Sequence, residues 1–395
     1  MSTAAKTHGM DGTLVPPDWP PLVLGEVRAL LQRYPGCAEP IEILSVSPRP
    51  FSAASVVATR GGRVFIKRHH GKVRDREGLM EEHRFLEHLW TRGAEVPRVL
   101  ASDSGETALT GGEWTYEVHE IPRGVDLYED AISWTPFLSV QHAQGGGKAL
   151  ARLHRAAQGF SAPPRKPRPL VASFSIFGSE DASAAMQHYL AQRPALAHDE
   201  ETQRNCQRAL KLLAPFQQEL MPLLPALTPL WTHNDLHGSN LFWSVATDNA
   251  QPTAIIDFGL ADRTNAVHDL AHAIERNIVE WLTLVNDPAH PEAVAVHFDH
   301  LHALLDGYEQ ERPLSAQEAA ALAPMTALCH AEFALTETDY FLGVLDSPEK
   351  ARMATEGYLV GHAQWFHSAA GCGLLDALRA RAVVQNQGVR EKARP

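Results

Sequence analysis

Two short polar motifs, His233-Asn234-Asp235-Leu236-His237-Gly238-Ser239-Asn240 and Ile255-Ile256-Asp257-Phe258-Gly259, constrain this chain more than any other feature. The stretch between them has apolar flanks and carries Asp248-Asn249 near its middle, as a hairpin tip does. A hairpin returns its two ends to one place, so Asp235, Asn240 and Asp257 are expected to share a site. A carboxylate and a carboxamide oxygen are hard ligands, of which Mg²⁺ takes a few alongside phosphate and water. That leaves the Asp235 carboxylate to orient a hydroxyl and take its proton late, because an aspartate near its ordinary pKa is a weak base. Two buried strands with a polar turn would account for one such motif. Two in this order are harder to obtain by accident.

The five-position step from Asp235 to Asn240, followed by Asp-Phe-Gly, resembles the kinase superfamily. With His237 and Gly238 inside the loop, the sequence is similar to the aminoglycoside phosphotransferase, choline kinase and homoserine kinase group. Leu304-Leu305-Asp306-Gly307-Tyr308 and Arg312-Pro313-Leu314-Ser315 extend the likeness, especially to the bacterial homoserine kinase branch. The resemblance implies an α+β, two-lobed protein-kinase-like fold, with a small antiparallel-sheet N-lobe and a larger helical C-lobe. It implies ATP and Mg²⁺ as cofactors, Asp235 as catalytic base, and Asn240 and Asp257 as metal ligands. Lys67 ends the apolar run Val64-Phe65-Ile66 and resembles the strand lysine that holds the α- and β-phosphates. Its expected partner is Glu82 on the next helix, with Glu81 as the alternative. Adenine is expected against main chain between His119 and Pro122, in the neighbourhood of Ile121. His233 is expected to support the loop backbone, and Asp269 to brace it from His268-Asp269-Leu270-Ala271-His272. The same pentad has histidines at i and i+4, as in helical zinc sites, but its second residue is Asp and no third ligand stands out.

The phosphate-covering segment departs from the pattern. Ser47-Pro48-Arg49-Pro50-Phe51-Ser52-Ala53-Ala54-Ser55 contains no glycine. Ser52 and the amides of Ala53 and Ala54 are the expected phosphate donors, Arg49 adds charge, and a plain strand–turn–strand is the competing reading. Only 12 positions separate Asp257 from Asp269, and no Ala-Pro-Glu closes an activation segment. That favours a small-molecule hydroxyl acceptor, such as an amino alcohol, a hydroxy amino acid or an aminoglycoside-type antibiotic. A nucleotide-binding pseudokinase and a protein kinase are the alternatives. Asp262, Glu275, Glu280, Glu332 and Asp339 are candidates to meet an acceptor amine, and Arg263 and Arg276 to meet an acceptor carboxylate.

Bulk properties set outer bounds. The 395 residues suffice for two lobes, and 44% hydrophobic with 21% charged residues is ordinary for a globular chain. A formal net charge of −12 argues against a nucleic-acid partner. Cys37, Cys206, Cys329 and Cys372 form no CxxC pair, so a reducing cytoplasm is the expected compartment. No run of about 18 apolar residues suggests a membrane span. A homodimer is compatible with all of this.

Residues 1–21, with Pro16, Pro17, Pro20 and Pro21, read as a mobile leader. An N-terminal ATP-binding lobe is predicted over 22–121: a helix from Leu22, strands at Ile41–Val46, Ser55–Thr59, Val64–Lys67, Val96–Leu100 and Trp114–Ile121, and a helix over Leu79–Trp90. The C-terminal catalytic and acceptor-binding lobe is predicted over 122–382, with a helix over Lys148–Ala157, a basic proline-rich loop over Ser161–Leu170 and several helices after Val267. Residues 383–395 read as a disordered tail.

Overall fold

The computed structural model describes residues 6–9, 11–37 and 39–392, with side chains as far as Val383. Two short strands, β1 (Thr7–His8) and β2 (Leu14–Val15), pair antiparallel. Helix α1 (Leu24–Leu31) then buries Val27, Leu30 and Leu31, the i, i+3, i+4 stripe its sequence carries. A five-stranded antiparallel sheet follows, built from β3 (Pro40–Val46), β4 (Ala53–Thr59), β5 (Gly62–His70), β6 (Ala108–Gly111) and β7 (Trp114–Glu120) in the order β3-β4-β5-β7-β6. Helix α2 (Arg76–Thr91) comes between β5 and β6 in sequence and is capped by Asp75, which accepts from the Gly78 amide at 2.7 Å. Its Phe85, Leu86 and Leu89 join the large core of the C-lobe, while Val57, Val64, Ile66 and Val118 form a separate core under the sheet.

The expected strand at Val96–Leu100 is reduced to a single bridge between Val99 and His119. Pro97 removes a ladder donor there. The edge of the sheet is β6 instead, which lies outside the strands read from sequence.

The C-lobe is mainly helical. Helix α3 (Val140–Ala157) begins well before Lys148, because Gly145-Gly146-Gly147 masks its periodicity. Those glycines have a packing reason. A Cβ on Gly147 would run into the Leu304 carbonyl, and one on Gly307 into the Gln144 carbonyl, so α3 and the helix Phe298–Glu311 touch backbone to backbone. Helices α4 (Ala182–Ala191), α5 (Pro194–His198) and α6 (Glu200–Leu220) lead into four short strands: β8 (Pro229–Thr232), β9 (Leu241–Trp243), β10 (Pro252–Ile255) and β11 (Asp262–Asn265). β9 pairs with β10 and β8 with β11, both antiparallel. Helix α7 (Ala266–Ile278) is buried along its whole length. No helix among the described residues is long and apolar enough to cross a membrane.

Both chain ends differ from expectation. The described part of the leader is docked: Asp18 takes hydrogen bonds from Lys350 Nζ at 2.6 Å and Tyr340 Oη at 3.1 Å, and Trp19 stacks on His70. Aromatic and charged side chains hold this segment despite its prolines. At the other end the last helix, Ala369–Lys392, runs past the expected boundary at Val383. Residues 1–5, 10 and 393–395 of the two expected segments lie outside the described residues.

Candidate active site

The β9–β10 hairpin does what its sequence implies. Leu241 faces Ile255, and the Ile256 amide donates to the Asn240 carbonyl at 2.9 Å. Asn240 and Asp257 therefore leave the hairpin at its open end, side by side. Asn240 Nδ2 donates to the Asp235 carbonyl at 2.9 Å and lies 3.3 Å from its carboxylate. That use of the amide nitrogen leaves the amide oxygen as the metal-capable atom. Lys67 Nζ reaches Asp257 Oδ1 at 2.9 Å. Lys67, Glu82, Ser52, His119, Ile121, Asn240 and Asp257 all line one cleft between the lobes, of about 450 Å³.

The loop that carries Asp235 is held by buried groups. Asp269 accepts from the His233 amide at 2.8 Å, the Asn234 amide at 2.7 Å and His154 Nε2 at 2.9 Å. Asp269 thus ties the backbone of the loop to α3. His233 spans from the Asp235 amide on Nδ1, at 3.2 Å, to the Ile256 carbonyl on Nε2, at 2.9 Å, tying one motif to the other. Asn234 has φ 63°, and Asp257 has φ 61°. These are left-handed conformations that Asn and Asp tolerate better than other non-glycine residues. The turn after β10 is thus made by Asp257 itself. His268 Nδ1 contacts Asn234 Oδ1 at 3.2 Å, and no metal-type cluster among the described residues includes His268 or His272.

The expected Lys67–Glu82 pair is not formed. Lys67 is on Asp257, and the cation nearest Glu82 is Arg165, at 3.9 Å. Arg165 comes from the proline-rich loop and donates to the carbonyls of Gly78, Gly259 and Ala261 at 2.9, 3.0 and 3.1 Å. Arg74 also donates to Gly259, at 2.6 Å. These two arginines clamp α2 to the Asp257 turn. Neither was picked out from sequence, though the basic character of the 161–170 loop was a signal.

The glycine-free turn also behaves differently from a simple phosphate loop. Ser52 lines the cleft, but Arg49 crosses to the C-lobe, donating to Ser133 Oγ at 3.0 Å and the Ala131 carbonyl at 3.1 Å. At the hinge, the Glu120 amide is taken by the Arg98 carbonyl, and Pro122 has no N–H. The Ile121 amide makes no backbone hydrogen bond among the described residues.

The charges of the site follow from burial and pairing. Burial works against the Asp257 carboxylate, but Lys67 outweighs it and holds Asp257 well below the usual range. Burial likewise opposes the Lys67 ammonium, and Asp257, Glu117 and Glu82 overcome it and raise Lys67. Asp235 goes the other way. Burial pushes it up to about 6, with Arg276 opposing. Arg276 Nη2 lies 3.0 Å from Asp235 Oδ1, an ion pair whose angles fall short of a hydrogen bond. The guanidinium sits over Trp134 at 3.9 Å and Phe333 at 4.0 Å, which fixes its position.

Arg276 was a candidate for an acceptor carboxylate; the carboxylate beside it belongs to the protein. Most of the acidic candidates are also engaged internally. Asp262 accepts from the Arg165 and Arg263 amides, Glu332 from Ser173, Ser175 and the Ile176 amide, and Glu280 contacts His297. Asp339 lies 3.7 Å from Arg193. Glu275 takes a contact from His362 Nδ1 at 2.8 Å on one oxygen, and Glu275 and Glu337 both lie beside Arg276, each with its Oε2 buried and unpartnered. Glu337 escaped the sequence reading, because an acid within an apolar helix gives no local sign of what it faces.

Glu337 gives a stability prediction. Burial raises it from 4.5 to about 8, against the pull of Arg276. The folded chain therefore keeps a proton that the unfolded chain releases, and the stabilisation present below pH 4.5 is lost as pH rises through about 8. Glu337→Gln is expected to match wild type near about pH 5 and to exceed it near about pH 9, by on the order of 1–3 kcal/mol. Thermal melts across that range test this, and a constant gap in Tm would refute it.

Residues 51–314 match the phosphotransferase enzyme family, more than half of the chain. The chain belongs to that family. Two solved structures show the same kinase-like fold. A microcompartment-associated aminopropanol kinase is 19% identical, with a TM-score of 0.57 and coverage of 88% of this chain and 99% of that one. An amicoumacin kinase solved with AMP-PNP and Ca²⁺ is 15% identical, with a TM-score of 0.54 and coverage of 86% and 92%. No curated protein sequence matches the chain. The two-lobed α+β architecture expected from the motifs is thus the architecture found.

Proposed function

We propose that this phosphotransferase is an ATP- and Mg²⁺-dependent kinase that transfers the γ-phosphate to a hydroxyl of a small molecule: ATP + R–OH → ADP + R–O–PO₃²⁻ + H⁺. One observation carries the reading. Asp257, Asn240 and Lys67 line one cleft, and Asn240 Nδ2 reaches the backbone and carboxylate of Asp235, which does not itself line it.

Asn240 Oδ1 and the ionised Asp257 are suited to hold Mg²⁺, which when bound neutralises phosphate charge. Lys67 is placed to exchange its contact with Asp257 for the phosphates. Asp235 orients the acceptor oxygen and takes its proton as the bond to phosphorus forms. The braces from Asp269 and His233 fix where Asp235 points, so that orientation is set before substrate arrives. ADP leaves with the pair of electrons from the broken bond.

Asp235, Glu275 and Glu337 all act on the single Arg276 guanidinium, but burial keeps Glu337 protonated to about 8 and raises Glu275 to about 7, so at neutral pH Asp235 is the carboxylate that balances Arg276. The acceptor reading is supported by one of the two solved relatives, whose named acceptor is an amino alcohol. Hydroxy amino acids and aminoglycoside-type antibiotics carry the same pair of groups. We place the enzyme in the cytoplasm, and its net charge of −12 disfavours nucleic acid as a partner.

The test is an ADP-release screen across amino alcohols, hydroxy amino acids, choline-like amines, aminoglycosides and macrolides, with Asp235→Asn as control. Acceptor-dependent ADP release that the control lacks is expected. Peptide phosphorylation, or nucleotide binding without turnover on any acceptor, would replace this reading with a protein kinase or a pseudokinase.

A further inference from the structure

Partly lining the cleft lies a cluster of side chains to which the proposed phosphotransfer steps assign no direct contact with the reacting groups. Glu117 and His119 stand two apart on β7, on one face of the sheet, and His83 faces them from α2. Glu117 Oε2 is 2.8 Å from His83 Nε2 and 2.9 Å from His119 Nε2. The other oxygen, Oε1, is 2.9 Å from His69 Nε2 on β5. All four side chains are buried, with exposures of 5% for His83, 1% for Glu117 and 7% for His119 and His69.

We propose that His83, His119 and Glu117 form a binding site for a divalent transition metal of the Zn²⁺ class. Their three ligand atoms lie within 4.8 Å of one another. Imidazole nitrogen and carboxylate oxygen are the donors such an ion takes, at about 2.0–2.2 Å, and three protein ligands with an open fourth position is a common arrangement. Ligands around a tetrahedral ion of that size stand roughly 3.3 Å apart. The present nitrogen–oxygen contacts need open by only about half an ångström to admit it.

The surroundings have the character of an outer shell. His83 Nδ1 meets Thr107 Oγ1 at 2.8 Å, which orients that ring, and His69 holds the far oxygen of Glu117. His119 Nδ1 is buried without a hydrogen-bond partner. Binding asks each ligating imidazole to move its proton from Nε2 to Nδ1. His83 can then donate to Thr107, and His119 has a free Nδ1 to receive the proton. Glu117 is already anionic, so no proton need be lost.

The site also has a route to the nucleotide. Glu117 is the cross-strand partner of Lys67, and both Glu117 and His119 line the cleft. A dication there takes up the charge of Glu117, which now supports the Lys67 ammonium, and repels Lys67 itself. Metal loading is therefore expected to weaken the grip on phosphate.

The experiment uses full-length protein stripped of metal and titrated with Zn²⁺ alone against a chromophoric chelator, then with Co²⁺ alone for its visible absorption. One tight equivalent is expected in wild type, with a micromolar or lower Kd of about 10⁻⁶ M. His83→Gln and Glu117→Gln should each lose it. His300→Ala, which breaks the separate His297–Asp299–His300 group, should keep it. Thermal melts of each variant without metal confirm folding. Wild-type binding that persists in both glutamine variants, or wild type that takes up no Zn²⁺, would show that Glu117 is caged by hydrogen bonds alone and overturn the proposal. A second readout, a several-fold rise in the KM for ATP on adding one equivalent of Zn²⁺, rests on the phosphotransfer reading, whereas the binding measurement does not. An unchanged KM in a Zn²⁺-loaded, active enzyme would remove the link to Lys67.

Discussion

Asp257→Asn is expected to lower turnover by at least about 100-fold while the fold is retained. The argument is one of charge. With Asn240 neutral, Asp257 is the anionic member of the expected metal pair. Asparagine keeps the size of the side chain and the tolerance for φ 61° that alanine would lack. The substitution therefore isolates the charge, and Asp257→Ala adds backbone strain to the same loss. Lys67 is also affected, because its hydrogen bond to the Asp257 carboxylate at 2.9 Å becomes one to a neutral amide. The loss should be partly recovered by raising Mg²⁺, since a weakened ligand set shows first as a higher metal requirement. Near-normal turnover at ordinary Mg²⁺ would remove Asp257 from the metal site and with it the functional reading.

What could be read from sequence divides along a physical line. The hairpin that joins Asn240 to Asp257 depends on local periodicity and short-range spacing and is present, whereas the strand read as ending in Lys67 runs on to His70, because Arg68 and His69 are buried and continue the ladder. Glu82 shows where that method stops. Its position on α2 was legible, but its charged neighbour was not, because Arg165 arrives from a loop some eighty positions away. Arg276 is similar: its own segment shows a helical arginine, and only packing against Trp134 and Phe333 reveals that it is held beside Asp235. Helix α3 was shortened in the reading because glycines lower helical propensity, and their cause, the helix containing Gly307, is distant in sequence. Long-range electrostatic partners and close backbone contacts leave no local pattern to read.

Asp235→Asn should produce the other large loss, again at least about 100-fold in turnover, with the KM for ATP changing far less. Asparagine preserves the shape of the loop but cannot accept the acceptor proton. The pH dependence identifies the group. Burial raises Asp235 to about 6, and Arg276 limits the rise. Asp235 must be ionised to act, so wild-type kcat/KM is expected to fall as pH drops through about 6. Arg276→Met removes the opposing cation and should move that limb to higher pH; Arg276→Lys should restore part of the shift. Stability separates chemistry from misfolding. A carboxylate whose pKa is raised on folding makes its stabilising contribution below its unfolded value of 3.8 and loses it as pH rises through about 6. At neutral pH the ionised Asp235 is therefore a cost to the fold, retained where catalysis needs it. Asp235→Asn should melt at or above the wild-type temperature at pH 7 while turning over at least about 100-fold more slowly. A variant that loses activity together with stability would place Asp235 in the architecture of the loop and leave the proton acceptor to be sought elsewhere in the cleft.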